Sequence, residues 1–568
     1  MRAHYLIPLL LAVACSPHKR PPGGGSGDDD DTSCPADCPD GTVCSNGTCK
    51  GPCAAALDMP SNVGCEFWAA DLDNEAFNLI GATNNAASSQ FAVVAANNND
   101  YPVTVDVTKN AARVGDPVNE QPVMSVTVPP RTASRIDLPQ REVDGSMGQN
   151  GTYTANSGTG TFVSPHAYHV VSSGPVVVYQ FNPIVQQFSN DASTLIPIQA
   201  LGSDYLIIGY PTANPCGNPA LPVDSIPDHS SITIVPTAND THVTVTPTHP
   251  ITASGGDSGI PIPTVAKNGT LSLTLGLYDV ANLESDQPSG DIFACINSGQ
   301  DGDFTGSQIH SDKPVVVFTS GERGIGFGGA TNVKFPPDWD DSSAGGDDLC
   351  CTDHLEEQLL PITALGREFA IARSPIRSTD SSGWVEPDIV RVVATLDGTV
   401  ITTNLPAPND TITLQARQQK SFAATTGFTM ESNLPIEVAT YLVSQHFVKH
   451  GYIGDPSQLL MPAAEQFRKD YVFLIPGTFQ SNYIVMAKPS NANIVLDGLP
   501  LAMQQNCYTG SIGTVGGVQY DQVTCPALEG HHTVVADVPF GLSVFGYYNV
   551  GSYAFVGGSD VKIINPIE

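Results

Sequence analysis

At 568 residues the chain is longer than one ordinary domain and calls for several core-bearing units. Charged residues are only 14% while glycine and proline number 53 and 46, a balance that suits short strands and frequent turns and points to an all-β fold. With 24 basic against 57 acidic residues the formal charge is -33, which repels phosphate backbones and anionic lipid surfaces and argues against nucleic acid as a partner.

The first 14 residues read as a signal peptide: Arg2 precedes an apolar stretch from Tyr5 to Ala14, too short to cross a bilayer as a helix. The "AVAC" that follows resembles the lipobox of bacterial lipoproteins, which implies that Cys15 is lipidated; cleavage leaving a free cysteine is the alternative. Nothing further along offers the roughly 18 continuous apolar residues of a spanning helix. The expectation is an exported protein, anchored by lipid alone at the outer membrane or cell surface. Residues 15–33, rich in Pro, Gly, Ser and Asp, form a flexible, self-repelling tether.

Cysteine usage changes at residue 34. Cys34, Cys38, Cys44, Cys49 and Cys53 crowd around "DG" and "NG" turns, with Cys65 in reach as a sixth. Residues 34–64 have almost no apolar core, so a disulfide knot is expected; zinc is the competing reading of such spacing. Without Cys15 an even 12 remain, and Cys216, Cys295, Cys350, Cys351, Cys507 and Cys525 complete the disulfide candidates.

Beyond the knot three phrases recur. One is polar, then proline, then an apolar run: "SSGPVVVYQF", "SDKPVVVFTS", "SNLPIEVATY" and "ADVPFGLSVFGYY", with Pro175, Pro314, Pro435 and Pro539 at the expected first position of a buried strand. A second pairs alternating strands about turns near Asn99, Asn239, Asp397 and Asn491, the pattern of a hairpin. The third is "STLIPIQALGSDYLIIGYP" from Ser193 and "EEQLLPITALGREFAIARSP" from Glu356, with a degenerate copy that has Arg468 in the glycine's place. Gly202 and Gly366 are expected at positive φ. Four copies predict four divergent antiparallel β units in tandem, at 65–190, 191–350, 351–457 and 458–568. Proline copies lie roughly 100 residues or more apart, which favours sandwich-like units; a β-propeller-like arrangement, at about 40 to 50 residues per blade, is the alternative.

"DFTGSQIHSDKPVVVFTSGERG" from Asp303, "CTDHLEEQLLPITALGREFAIA" from Cys351, "LGSDYLIIGYP" with "ITIVPTANDTHVTVTPT", and "GCEFWAADLDN" from Gly64 together resemble the IgG Fc-binding protein N-terminal domain family over most of residues 64–560. The resemblance implies an extracellular, non-enzymatic module and carries no binding residue across to this sequence. The cysteine usual after the "SDKPVVVF" strand is absent, which leaves a bond between Cys350 and Cys351 open.

Catalytic motifs are missing: no "GxSxG", "HExxH" or "GxxxxGK" occurs, and "DLDNEA" at Asp71 lacks the glycine of a calcium loop. No cofactor, metal or catalytic residue is assigned. His446 and His450 have metal spacing only if helical. Asp353, His354, Glu356 and Glu357 read as a solvated turn with a structural histidine. "DWDDSSAGGDD" from Asp338 offers oxygen ligands but reads as a solvated loop, and Trp339 in "FPPDWDD" as an exposed tip. The reading is therefore a surface-anchored, non-enzymatic binding or adhesion protein whose partner is an extracellular protein or glycan. A structural envelope spacer without a ligand and a hydrolase of unrecognised type are the alternatives.

Overall fold

The computed structural model describes residue 34 and residues 38–75, 86–154, 160–185, 189–216, 227–286, 292–298, 301–324, 352–379, 381, 383–451 and 453–565. Residues up to Gly51 and residues from Pro52 onward are two separate compact units. In the first, β1 (Val43–Ser45) and β2 (Thr48–Lys50) form a hairpin about Asn46 and Gly47, both at positive φ. Cys34–Cys44 and Cys38–Cys49 close it, as a segment without an apolar core requires.

The second compact unit opens with α1 (Pro52–Ala56), joined to the first long sheet by Cys53–Cys65. Its first set of strands is β3 (Gly64–Ala69), β4 (Ala92–Asn97), β5 (Val103–Asn110), β6 (Glu120–Val128), β7 (Thr132–Asp137), β8 (Phe162–Ser164), β9 (Tyr168–Asn182) and β10 (Asp191–Thr194). The start of β9 lies between β3 and β5, with β6 outside; its end lies between β10 and β4, with β7 outside. One strand thus belongs to two four-stranded layers. Phe67, Val93, Val105, Val170 and Val178 from both layers share one apolar core.

The same path recurs three times. The second set is β11 (Gly202–Leu206), β12 (Ser230–Pro236), β13 (Thr241–Thr246), β14 (Leu271–Leu275), β15 (Val280–Glu284), α2 (Ile292–Ser298), β16 (Gln308–Gly324) and β17 (Asp353–Gln358), with β16 as the shared strand and β8 added beyond β15. The third is β18 (Glu368–Ile371), β19 (Asp388–Ala394), β20 (Thr399–Thr403), β21 (Thr411–Leu414), β22 (Gln419–Ala424), β23 (Phe428–Ser432), β24 (Ile436–Tyr441) and β25 (Gln458–Leu460); here the shared strand is broken into β23 and β24. The fourth is β26 (Arg468–Ile475), β27 (Ser481–Pro489), β28 (Ile494–Leu496), β29 (Leu499–Pro500), β30 (Tyr508–Val515), β31 (Val518–Ala527), β32 (Gly530–Tyr548) and β33 (Gly551–Val556), sharing β32.

Two local expectations change. Pro175, Pro314 and Pro539 do not begin strands; they sit inside β9, β16 and β32 where each crosses between layers. A proline lacks the N–H a ladder needs, so it is tolerated where pairing is interrupted. The ladder shifts register there, between Gly64 and Glu66 and between Gly202 and Asp204. The turns near Asn99 and Asn239 are not hairpin reversals either. β4 and β5 run end to end along β9, and β12 and β13 along β16, so each turn carries its chain across layers beside the proline. Asn97 fixes the first crossing through Nδ2, which donates to the carbonyls of Tyr101 (2.8 Å) and Val128 (3.1 Å).

β10, β17 and β25 each pair with the shared strand of their own set, so the ladder crosses the phrase borders at 190/191, 350/351 and 457/458. The four closing strands also meet each other: β10 touches β17 and β33, and β25 touches the same two. The four sets therefore close into a circuit. Val316 and Phe318 join the first core, Ile389 and Tyr441 the second, Phe545 packs with Leu442 and Leu459, and Phe473 and Phe555 pack with Val94 and Tyr179.

The repeated "ALG" phrase forms the seams. Short 3-10 turns at Ile198–Ala200, Ile362–Ala364 and Ala464–Gln466 follow Pro197, Pro361 and Ala463. Gly202 and Gly366 are not among the positive-φ residues, contrary to expectation. Their requirement is space. A Cβ on Gly202 would fall 2.5 Å from the Cβ of Pro361, and one on Gly366 would strike Ala463, so each glycine seats the next copy's turn. Gly64 meets Pro197 in the same way.

Candidate functional site

Three places concentrate chemistry. The first is a groove of about 650 Å³ on the outer face of β5, β6 and β9, lined by Asp106, Thr108, Glu120, Met124, His169 and Val171. β6 is an edge strand, and a register shift between Val107 and Thr108 opens it beside Pro122. His169 stacks on Trp68 at 4.3 Å between centroids and holds Glu66 Oε1 at 2.9 Å through Nε2. The Tyr278 hydroxyl lies 2.7 Å from both Thr108 Oγ1 and Glu120 Oε2, and burial pushes its pKa up, so it stays a donor. Met124 and Val171 are exposed beside Asp106. An apolar floor with acidic rims suits reversible binding.

The second place is the closed circuit. Asp191 Oδ2 accepts from the amides of Glu356 (3.2 Å) and Gln458 (3.0 Å), and Oδ1 from Ala192 N (3.0 Å), Ser457 Oγ (3.0 Å) and Ala554 N (3.4 Å). Ser193 Oγ donates to Glu357 Oε2 at 2.9 Å and accepts from Gln358 N at 2.8 Å; Glu357 Oε1 accepts from Leu460 N at 3.0 Å. Asp353 accepts from Asn190 N and, at 2.9 Å, from Ser552 N. Asp353, His354, Glu356 and Glu357 are thus buried in β17, not a solvated turn, because β17 is one of the four closing strands and packs between β10 and β25. Burial pushes Asp191, Asp353 and Glu357 up, lifts Glu356 to about 8 and lowers His354 to about 3. These carboxylates hold strands together.

The third is a buried pocket where the loop after β3 meets the end of β15. It gathers the buried Asp73, Glu142, Asp144 and Glu284 and the half-buried Glu322, all pushed upward by desolvation where a shift is resolved. Ser146 Oγ lies 3.0 Å from Glu142 Oε2 and 2.6 Å from Asp144 Oδ1. Asp73 and Glu284 stand within hydrogen-bond reach of each other.

Other candidates fall differently. Cys216–Cys295 and Cys507–Cys525 are bonded, whereas Cys15, Cys350, Cys351, Trp339 and the Asp338 loop lie outside the described residues. His446 belongs to a 3-10 turn, Gln445–Phe447, and His450 has φ of 57°, so the two do not share an α-helical face. Among the described residues no group of three or more His, Cys, Asp or Glu is placed so that it could hold a metal ion. The residues missed from sequence are Asp191, Glu284 and Glu322: Asp191 opens β10, Glu284 ends β15 and Glu322 lies in the polar end of β16, so no local pattern marks them.

The family of IgGFc binding proteins matches residues 191–546, more than half of the chain. The chain belongs to that family. The match covers the second and third sets of strands and most of the fourth, and leaves out β3 to β9 with the groove. No curated protein matches. Among solved structures, the N-terminal eight Ig domains of Down Syndrome Cell Adhesion Molecule (isoform 1.30.30) align with 87% of this chain at 9% identity and a TM-score of 0.09, too low to carry any argument. The alignment spans 60% of that structure's length.

Proposed function

We propose that the chain is an exported, non-enzymatic binding protein, lipid-anchored through Cys15 and residues 15–33, that holds an extracellular protein or glycan. The match to the IgGFc binding protein family over 191–546 is the observation that supports this most. In this reading the four repeated units, at 65–190, 191–350, 351–457 and 458–568, are a scaffold. Their polar centre is spent on closing the circuit, and the ligand seats in the groove between Met124, Val171 and Asp106.

The test is the mature chain probed on protein and glycan arrays that include immunoglobulin Fc, followed by titration of each hit against Met124→Asp. A hit weakened about tenfold or more, roughly 1.4 kcal/mol, supports the groove. Binding unaffected by that change places the contact elsewhere, and arrays without a hit favour the envelope spacer. Detergent partition of Cys15→Ala checks the anchor: the variant is expected to leave the membrane fraction, and equal retention overturns lipidation.

A further inference from the structure

The acidic pocket after β3 has more charge than its partners explain. Asp71 accepts from Arg141 N at 2.7 Å and Glu142 from Asn74 N at 3.2 Å, which fixes the loop that carries Asp73. Two arginines lie close, and both are engaged. Arg323 pairs with Glu75 at 3.0 Å and Asp228 at 2.8 Å. Arg141 spends its guanidinium on the carbonyls of Asn110, Pro165 and His166. Of the stretches that adjoin these residues in sequence, 76–85, 155–159, 217–226 and 287–291 contain no lysine or arginine, and 325–351, which follows β16, contains Lys334.

Glu284 is the decisive group. It is fully buried at the end of β15; its Oε1 accepts from Asn282 Nδ2 at 3.2 Å, while its Oε2 has no hydrogen-bond partner. The imidazole nearest to that oxygen, His229, holds Nδ1 3.8 Å away and 2.7 Å from the carbonyl of Ser285, which is therefore the oxygen it serves. Gly160 forms the wall: a Cβ there would stand 2.6 Å from Oε2. The carboxyl of Asp73 stands within hydrogen-bond reach of Glu284, which brings an acceptor to an acceptor. Two buried carboxylates facing each other without a donor need a proton or a cation between them.

We propose that this pocket binds a hard divalent cation, calcium by its oxygen donors, between the carboxylates of Asp73 and Glu284. Two carboxylates can serve such an ion because carbonyl and water oxygens complete its shell of six to eight ligands. The site would tie the loop after β3 to β15, across the junction of the first two strand sets. It is separate from the groove and does not depend on what the groove binds.

The experiment is a comparison of melting temperatures of the full mature chain in chelator and in about 1 mM calcium chloride, a concentration suited to extracellular calcium modules. Isothermal titration of the wild type counts the ions. The wild type is expected to melt about 3 °C or more higher with calcium and to bind one ion per chain at this site. Glu284→Gln and Asp73→Asn, both close in shape, should lose that rise, whereas Asp340→Asn with Asp341→Asn should keep it. No calcium-dependent rise and no calorimetric binding in the wild type would overturn the proposal in favour of a shared proton. A full rise retained in both Glu284→Gln and Asp73→Asn, or lost only in the Asp340/Asp341 variant, would overturn it in favour of acids elsewhere. If neither pocket variant folds, a wild type that binds no ion still refutes the proposal, and competition by magnesium at equal concentration refutes the calcium assignment.

Discussion

The molecule buries acid in two regions that differ in what the carboxylates meet. In the closed circuit Asp191 alone collects donors from all four closing segments, and Glu357 and Asp353 accept amides from neighbouring sets. In the pocket after β3, Asp73 and Glu284 meet each other, and Glu142 and Asp144 share one serine hydroxyl. Burial alone therefore does not separate a structural acid from a binding one. The donor count does: a carboxylate saturated by backbone N–H is part of the architecture, and one left facing another carboxylate awaits a ligand.

The largest effect that would break this contrast is at Asp191. Asp191→Ala removes the acceptor for amides of β17, β25 and β33 at once, and a loss of about 3 to 5 kcal/mol is expected in equilibrium unfolding. A loss near zero would show that the circuit does not depend on its donors. Next is the seam. Gly202→Val drives a branched side chain into Pro361, and a destabilisation of about 1 to 3 kcal/mol is expected, with thermal melts as the measure. Because the cause is overpacking between neighbours and not backbone strain, Gly202→Ala should already show a large part of it.

A smaller effect is the dependence on pH. Glu356, raised to about 8 by burial, keeps its proton in the fold at pH values where the unfolded chain has lost it. Its contribution is fully present below the ordinary glutamate range, falls as pH rises, and is gone above about 8. Melting temperature should decline from pH 5 to pH 8.5, and Glu356→Gln should flatten the decline. An unchanged slope would assign the effect to other acids. The smallest effect sharpens the contrast from the other side: in chelator, Glu284→Gln should melt at or slightly above the wild type, by less than about 1 kcal/mol, since an amide can donate to Asp73. The same exchange at Glu357, whose two oxygens already accept from Ser193 and Leu460, should be clearly destabilising.

Much of the local architecture is legible in the sequence. Turns rich in Asn, Asp and Gly do separate β4 from β5 and β12 from β13, and the proline phrases do mark the buried shared strands. What those turns accomplish was not legible, because a turn between two alternating strands has the same composition whether the strands pair with each other or with a third. Of the candidate site, the groove could not be read at all. Its residues come from β5, β6 and β9 and from Tyr278 of the next set, which nothing local connects.

By itself the sequence determined the all-β class, the fourfold repetition, the disulfide-rich start and the family, since each is a matter of composition, periodicity or phrase order within one stretch of chain. Only the tertiary structure decided that the repeats close into a circuit, that Gly202 and Gly366 are there for a neighbour's turn, and that acids of β10 and β17 face inward. These depend on contacts between residues far apart in the chain, such as Gly202 with Pro361 and Asp191 with Gln458. A glycine needed for space and a glycine needed for φ carry the same letter, and an acid's surroundings are set by strands that local pattern does not bring together.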